Sequence, residues 1–370
     1  MKITRVEIRS VAPPSDQFTW SEDLPDQFAT NTVVRILTDT GIEGVGGVWN
    51  ATSFDFERYT GETLRHLAPV LIGEDPLQRE ALRRQLRPRV FPLPPQALAA
   101  IDIALWDLAG QAAGLPLYQM LGGARECIPA YASTPLFADV DEYLDEAARF
   151  IELGYRAIKF HTWCVPERDL ELARAVRRAF PGSDVAFMLD AENNYDFEGA
   201  LRVATELEAM GFEWFEAPLH DSDLRGYRAL SQRVGIPVIP SGNWFQDLHS
   251  YTHAVASGAW GRARTDVAAM GGLTAARQAV DVALAHGLKC EVMSWGFNLV
   301  ACANLHLMLA NHSCTYFEHS IPQEAYEYGM LDTLRIDGEG LMHAPTRPGL
   351  GLRVDWDAMD AASLNNIIAE

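Results

Sequence analysis

The chain has 370 residues, 30 basic against 50 acidic, for a formal charge of −20. Nearly half of it is hydrophobic (48%) and 22% is charged, the balance of a folded protein with a sizeable core. That length exceeds one small module, and the acidic excess argues against a nucleic-acid or anionic-membrane surface, which needs clustered Lys and Arg.

The opening MKITRVEIRS alternates polar and apolar residues as a strand does and lacks the apolar core of a signal peptide. No stretch approaches the ~18 apolar residues of a membrane span. The five cysteines (127, 164, 290, 302 and 314) are odd in number and have no paired metal spacing, so free thiols and a cytoplasmic location are expected.

Ile3, Val6 and Ile8 suit a first strand, and Val33 to Leu37 suit another before the turn Asp39-Thr40-Gly41. Pro13 to Ala29, with Phe18 and Trp20, fits neither period and reads as a loop. Gly44 to Asn50 reads as a Gly-rich turn, with nothing like a phosphate loop ending in Lys-Ser/Thr. Leu98, Ile101, Leu105, Leu108 and Ala112 recur at helical spacing, and Gly114-Leu115-Pro116 stops that helix.

From about residue 126 short apolar runs alternate with helical stretches. The runs are Ile128–Ala132, Ala157–Phe160, Ala186–Asp190, Trp214–Glu216, Pro237–Ile239, Thr265–Val267, Cys290–Met293 and Thr315–Glu318. Their separation of roughly 25–30 residues is that of a βα unit. Eight such units suggest a (β/α) barrel, although a doubly wound sheet would give the same periodicity. The segment from Gly338 to Glu370 follows the eighth run, is turn-rich at Arg347 to Gly351, and is expected to return to the first domain.

The ends of these runs carry Lys159 and His161, Asp190 and Glu192, Glu216, Asn243, Asp266 and Glu318. Strand ends of a barrel converge on one mouth. Several carboxylates there would repel one another, and a divalent cation is the usual remedy, Mg²⁺ rather than zinc for oxygen donors. Lys159 and His161 are two apart, as are Asp190 and Glu192, so on a strand the two side chains of each pair project to the same face.

The chain resembles the enolase superfamily, in its mandelate racemase and muconate lactonizing enzyme branch. The resemblance is carried by residues 99–123 (AAIDIALWDLAGQAAGLPLYQMLGG), GYRAIKFH (154–161), FMLDAENN (187–194), FEWFEAP (212–218), TDVAAMGGLTAARQ (265–278) and YFEHS (316–320). It implies an α/β fold, a modified (β/α)7β TIM-type barrel (126–339) under an N-terminal α+β capping domain (1–125, completed by about 340–370). It also implies a Mg²⁺ that holds a substrate carboxylate and a base that removes the alpha proton.

Asp190 and Glu216 match the family's first two metal ligands. At the third, Pro240-Ser241-Gly242-Asn243 departs from the family's Gly-Glu: either Asn243 replaces the carboxylate or Gly242 falls there and supplies no side chain. Glu192 could restore the missing charge. Lys159-Phe160-His161 matches the family's Lys-x-Lys, with Lys159 on the substrate carboxylate and His161 as the base. An imidazole near its ordinary pKa of ~6.5 is a competent base at neutral pH.

Asp266 matches the Asp of the racemase Asp–His pair, but Met293, or Trp295 in a shifted alignment, stands in place of the His. Glu318 matches an acid that hydrogen-bonds the substrate carboxylate. Trp20, Trp49 and Asn50 fall where capping loops close over substrate, or are local packing, and Trp295 joins them as a candidate contact.

One base on one face suits elimination, so the expected activity is that of a Mg²⁺-dependent dehydratase of a hydroxylated carboxylic acid, an acid sugar. An epimerase or cycloisomerase would need a second acid such as Glu318 or His319, and a silent binding relative would explain the altered third ligand. The expected partner is a small carboxylate, with neither nucleic acid nor membrane, and the expected assembly is a homo-oligomer.

Overall fold

The computed structural model describes residues 1–13, 19–20, 22, 26–52, 58–90, 93, 95–182 and 184–370. Phe18, and much of the first expected loop, lies outside them. The chain opens with an antiparallel meander: β1 (Ile3–Val11), β2 (Phe28–Thr38) and β3 (Glu43–Thr52), the last two joined at Gly41, whose φ of 78° suits a tight hairpin. Helices α1 (Tyr59–Leu67), α2 (Arg79–Val90) and α3 (Gln96–Ala113) cover the sheet, and a short α4 (Leu117–Met120) follows.

Gly44 to Asn50 is a strand, not the turn expected from its glycines. The reason is close packing. A Cβ on Gly44 would lie 2.3 Å from the Ala104 carbonyl oxygen, and one on Gly46 would lie 2.0 Å from that of Ala100, both in α3. Only bare backbone lets the helix approach so closely. The helix itself is apolar on nearly every face, with buried residues from Ala97 to Gly110, because the sheet covers one side and the second domain the other. It ends at Gly114 in the left-handed region, φ 68°.

Eight β-strands then alternate with helices: β4 (Cys127–Ser133), α5 (Val140–Glu152), β5 (Ala157–His161), α6 (Pro166–Ala179), β6 (Ala186–Asp190), α7 (Phe197–Ala209), β7 (Phe215–Glu216), α8 (Leu224–Ser231), β8 (Val238–Ile239), α9 (Leu248–Ala256), β9 (Ala263–Thr265), α10 (Leu273–Ala285), β10 (Cys290–Val292), α11 (Asn298–Leu309) and β11 (Phe317–Ser320). Parallel ladders run in the order β11-β4-β5-β6-β7-β8 and, separately, β9-β10. The two runs are bridged by the Gly261 amide donating to the Val238 carbonyl (2.9 Å) and by Ser294 Oγ donating to the Glu318 carbonyl (2.7 Å). The result is a barrel-like α/β domain beneath the α+β cap.

After β11 the chain forms β12 (Leu341–His343), antiparallel to β4, then α12 (Trp356–Ala361) and β13 (Ile367–Ala369). The last strand pairs with β1, Ile8 opposite Ile367 and Val6 opposite Ala369, so the C-terminus completes the cap sheet. Asp107 of α3 fastens the same junction, accepting from the amides of Val45 (2.9 Å) and Leu350 (2.7 Å). All five cysteines are free. No helix among the described residues is long and apolar enough to cross a membrane.

Candidate active site

The carboxyl ends of β5, β6, β7, β9 and β11 bring five charged side chains into one buried cluster. Lys159, Asp190, Glu216, Arg264 and Glu318 are each 3% exposed or less. Lys159 Nζ lies 2.8 Å from Asp190 Oδ2, 2.9 Å from Glu216 Oε1 and 2.9 Å from Glu318 Oε1. Three carboxylates thus use the three donors of one ammonium. Arg264 Nη2 sits 2.9 Å from both Glu216 Oε1 and Glu318 Oε2, and its Nε donates to the Ser241 carbonyl at 3.1 Å. Trp214 Nε1 donates to the second oxygen of Glu216, Oε2 (3.1 Å), and Ser133 Oγ to Glu318 (3.0 Å).

Buried charges persist only when paired and hydrogen-bonded. Burial alone would lower the pKa of Lys159, but Asp190, Glu216 and Glu318 hold it well above the ordinary lysine value. Burial would raise Asp190, yet Lys159 and His161 pull it well below the usual carboxylate range. Burial likewise opposes ionisation of Glu318, and Lys159 with Arg264 overcome it, lowering it to about 2. Glu216 goes the other way: burial, with Asp190 and Glu318 beside it, raises it to about 8 against the pull of Arg264 and Lys159, so it is the carboxyl group of the cluster that most readily holds a proton.

His161 completes the cluster on the β5–β6 side. Its Nδ1 meets the Thr134 carbonyl, so Nδ1 carries the hydrogen and Nε2 faces the site. Nε2 lies 3.1 Å from Glu192 Oε1 and 3.3 Å from Asp190 Oδ2. Burial and Lys159 would lower its pKa, but Asp190 and Glu192 prevail and raise it to about 9. The resting side chain is therefore an imidazolium at neutral pH, not the unperturbed imidazole expected from sequence. Glu192 reaches it by a route that strand alternation does not supply. β6 ends at Asp190, and Glu192 adopts φ 48°, its amide donating to Asp190 Oδ1 at 3.0 Å.

Other expected site residues lie elsewhere. Asp266 is buried but turned away: Asn304 Nδ2 donates to it at 2.8 Å and the Ala269 amide at 3.0 Å, so it caps the turn after β9 and anchors α11. That strand ends at Thr265, before Asp266. Asn243 is exposed, with its amide near Ser241 Oγ (3.3 Å). Gly242, at φ 84°, offers no side chain, and a Cβ there would meet Cγ of Arg264 at 2.9 Å. His319 faces Tyr155 (2.7 Å to its hydroxyl) on the far side of β11, where burial and Arg335 lower it to about 3.

Aromatic residues roof the cluster. The ring of Trp295 stands edge-on to His161 at 5.3 Å, Trp20 lies 5.7 Å from Trp295 and 6.1 Å from Trp49, and Tyr326 is 5.7 Å from both Trp49 and Trp295. Trp49 Nε1 donates to the Trp295 carbonyl at 2.9 Å, tying the cap to the barrel-like domain. Asn50 instead turns to α1, donating to Thr60 at 2.9 Å. Trp49 and Asn50 belong to the end of β3 rather than to a separate loop.

Arg264 is the member that sequence reasoning missed. The signal was a charged residue inside the short run Ala263-Arg264-Thr265, in a strand whose three residues are all buried.

Comparison with known proteins places this geometry. Residues 17–122 match the mandelate racemase/muconate lactonizing enzyme N-terminal domain, and residues 142–358 match the enolase C-terminal domain-like family. D-galactarolactone cycloisomerase of Agrobacterium fabrum is 28% identical, over 97% of this chain and 98% of its own. A solved structure assigned to the mandelate racemase/muconate lactonizing enzyme group from Pseudovibrio sp. is 38% identical, covering 100% of this chain and 99% of its own, with a TM-score of 0.97. D-glucarate dehydratase from Agrobacterium tumefaciens, complexed with magnesium, is 29% identical over 99% of this chain and 100% of its own, TM-score 0.80. Relatives of comparable identity include dehydratases, racemases and epimerases. With a cap sheet closed by its own C-terminus over a barrel-like domain whose strand ends gather Lys159, Asp190, Glu216 and Glu318, the chain belongs to the enolase superfamily, in its mandelate racemase/muconate lactonizing enzyme branch.

Proposed function

We propose that the chain removes the proton alpha to a carboxylate of a hydroxylated acid, of the acid-sugar class, and that the reaction ends in loss of water. The observation that carries this reading is the one-sided placement of His161. Its Nε2 faces the cluster from β5, while the strands opposite offer no matching proton carrier among the described residues. Asp266 is committed to Asn304 and the Ala269 amide, and β10 leads into Met293 and Trp295. Two-base racemisation needs a group on each face of the carbon; elimination needs one.

For His161 to act as a base, its Nε2 must first release a proton. Glu192 Oε1, 3.1 Å away and with a side chain 26% exposed, is the acceptor that leads towards solvent. The freed Nε2 takes the alpha proton. The same imidazolium then returns a proton to the departing beta hydroxyl, so that water leaves and the enol of a 2-keto acid remains.

The magnesium of the glucarate dehydratase neighbour does not fit the residues present here. The oxygens of Asp190 and Glu216 that would ligate it are already engaged by Lys159 and Arg264. The third ligand position carries no side chain at Gly242, and Asn243 is turned to the exterior. Lys159, Arg264 and a protonated His161 already answer Asp190, Glu192, Glu216 and Glu318 to within one negative charge, so the pole lacks the large negative excess that attracts a dication. The proton transfers of His161 and Glu192 need no metal.

Incubation with a library of acid sugars in D₂O tests the reading. A 2-keto product is expected. Deuterium at the alpha carbon without loss of water would replace the dehydratase with an isomerase, and the absence of both would leave a binding protein.

A further inference from the structure

We propose that Arg264, closing with Lys159 on the strand-end carboxylates, takes the place of the family's divalent cation, so that this pole assembles and acts without a metal. The inference uses the same site as the proposed dehydration, but rests on how the cluster is filled rather than on His161.

The substitution is reciprocal. Where a ligand side chain would project from the segment after β8, the chain has Gly242 in the left-handed region, φ 84°. The volume a side chain would need is occupied by Arg264, whose Cγ would stand 2.9 Å from a Cβ at 242. The segment is not free to bring Asn243 inward instead. Asp221 holds it from beneath, accepting from the Ser241 amide (2.8 Å), Ser241 Oγ (2.8 Å) and the Gly242 amide (3.1 Å). Ligand loss and guanidinium gain therefore belong to one arrangement.

The charge is conserved in the exchange. A dication with a third carboxylate ligand sums to one positive charge, and so does the Arg264 guanidinium beside Gly242; Lys159, which matches a lysine of the family, is common to both arrangements, and the two cations here are Lys159 and Arg264. Both are fixed: Lys159 by Asp190, Glu216 and Glu318, and Arg264 by Glu216, Glu318 and the Ser241 carbonyl. Charges already oriented in a buried site stabilise an anion forming beside them without reorganising. A dication at the same point would be repelled by both groups and would have to displace them from their carboxylates.

The test uses the unmodified protein. After dialysis against EDTA, Mn²⁺ is titrated in and followed by electron paramagnetic resonance, and crystals soaked in MnCl₂ are examined for anomalous density. The expected result is no anomalous peak against Asp190 or Glu216, with any bound Mn²⁺ confined to other places. His161 Nε2, Asp190 and Glu192 offer ligand atoms within 4.8 Å of one another, so a peak beside Asp190 towards either Glu216 or Glu192 overturns the proposal.

The double variant Arg264→Met/Gly242→Asp removes the guanidinium and supplies a carboxylate at a left-handed position that Asp tolerates. It should gain saturable Mn²⁺ binding at the pole; a folded double variant without that gain counts against Arg264 as the occupant. Should the variant fail to fold, the wild-type titration and map still decide. Occupancy is read independently of turnover, so an inactive protein with an empty pole refutes the dehydratase reading alone. An active one with Mn²⁺ beside Asp190 refutes this proposal alone.

Discussion

Gly242 and Arg264 share one space: the bare backbone of the first admits the aliphatic stem of the second, 2.9 Å from where a Cβ would stand. The guanidinium it carries inward is a tie for Glu216 and Glu318. Arg264→Met keeps most of the stem but leaves those carboxylates with Lys159 as their remaining cation. Breaking a buried ion network by removing one partner costs about 3–5 kcal/mol. A fall of this size in urea-unfolding free energy is expected, and a loss below about 1 kcal/mol would show that the guanidinium is not integral to the cluster.

If His161 is the base, its proton must leave before the substrate's can be taken. Asp190 and Glu192 raise its pKa to about 9, against the pull of burial and Lys159. The deprotonated fraction, and with it kcat/KM, should rise from neutral pH up to about 9. Glu192→Gln removes one of the two groups that favour the imidazolium, so the limb should move to lower pH. His161→Ala should abolish alpha-proton exchange in D₂O. A profile that falls over this range would make His161 a proton donor instead.

The elements that lay open in the sequence are those written by repetition. Eight apolar runs became β4 to β11, and the residues from Leu98 to Ala112 fall within α3. The misreadings have specific physical origins. The run Thr265–Val267 puts Asp266 at a strand end, but β9 stops at Thr265 and the carboxylate turns back to cap the next turn. Arg264 lay one residue outside the same window. The glycines of β3 resembled a turn because the demand on them comes from α3, an element far along the chain, which local pattern cannot show. Lys159 and Glu318 stand at the ends of apolar runs, but their mutual pairing depends on side-chain reach across a barrel-like interior, which no local pattern records.

Cap and barrel-like domain meet at Gly296, φ 121°, where a Cβ would fall 1.4 Å from Nε1 of Trp49. Gly296→Ala must therefore push the indole away from the Trp295 carbonyl, on which it donates a 2.9 Å hydrogen bond. Overpacking of this kind costs about 1–3 kcal/mol, and the left-handed backbone adds to it. The expected outcome is a lower melting temperature together with altered tryptophan fluorescence, since the ring of Trp20 lies 6.1 Å from that indole and 5.7 Å from Trp295. An unchanged emission spectrum would mean that the roof does not depend on this glycine.

His306 supplies a pH dependence of stability separate from the active site. It is fully buried in α11, its Nδ1 accepting from the Tyr118 amide (3.0 Å) and its Nε2–H donating to the Leu350 carbonyl (3.0 Å). Both nitrogens are used by the neutral ring, and a second proton would have to face the Tyr118 N–H. Burial lowers its pKa to about 4. Below the ordinary value of ~6.5 the unfolded chain therefore binds a proton that the folded chain refuses, and stability falls as pH drops from 6.5 towards 4. Asp107, raised by burial to about 7, works in the opposite direction, losing stability as pH rises towards 7, so the total slope does not isolate His306. The difference between wild type and His306→Gln does. Between pH 7 and pH 5 the wild type should lose about 2 kcal/mol more than the variant in urea-unfolding free energy, the linkage expected for a group shifted this far. Parallel pH profiles for the two proteins would show that His306 takes up a proton in the folded chain as readily as in the unfolded one.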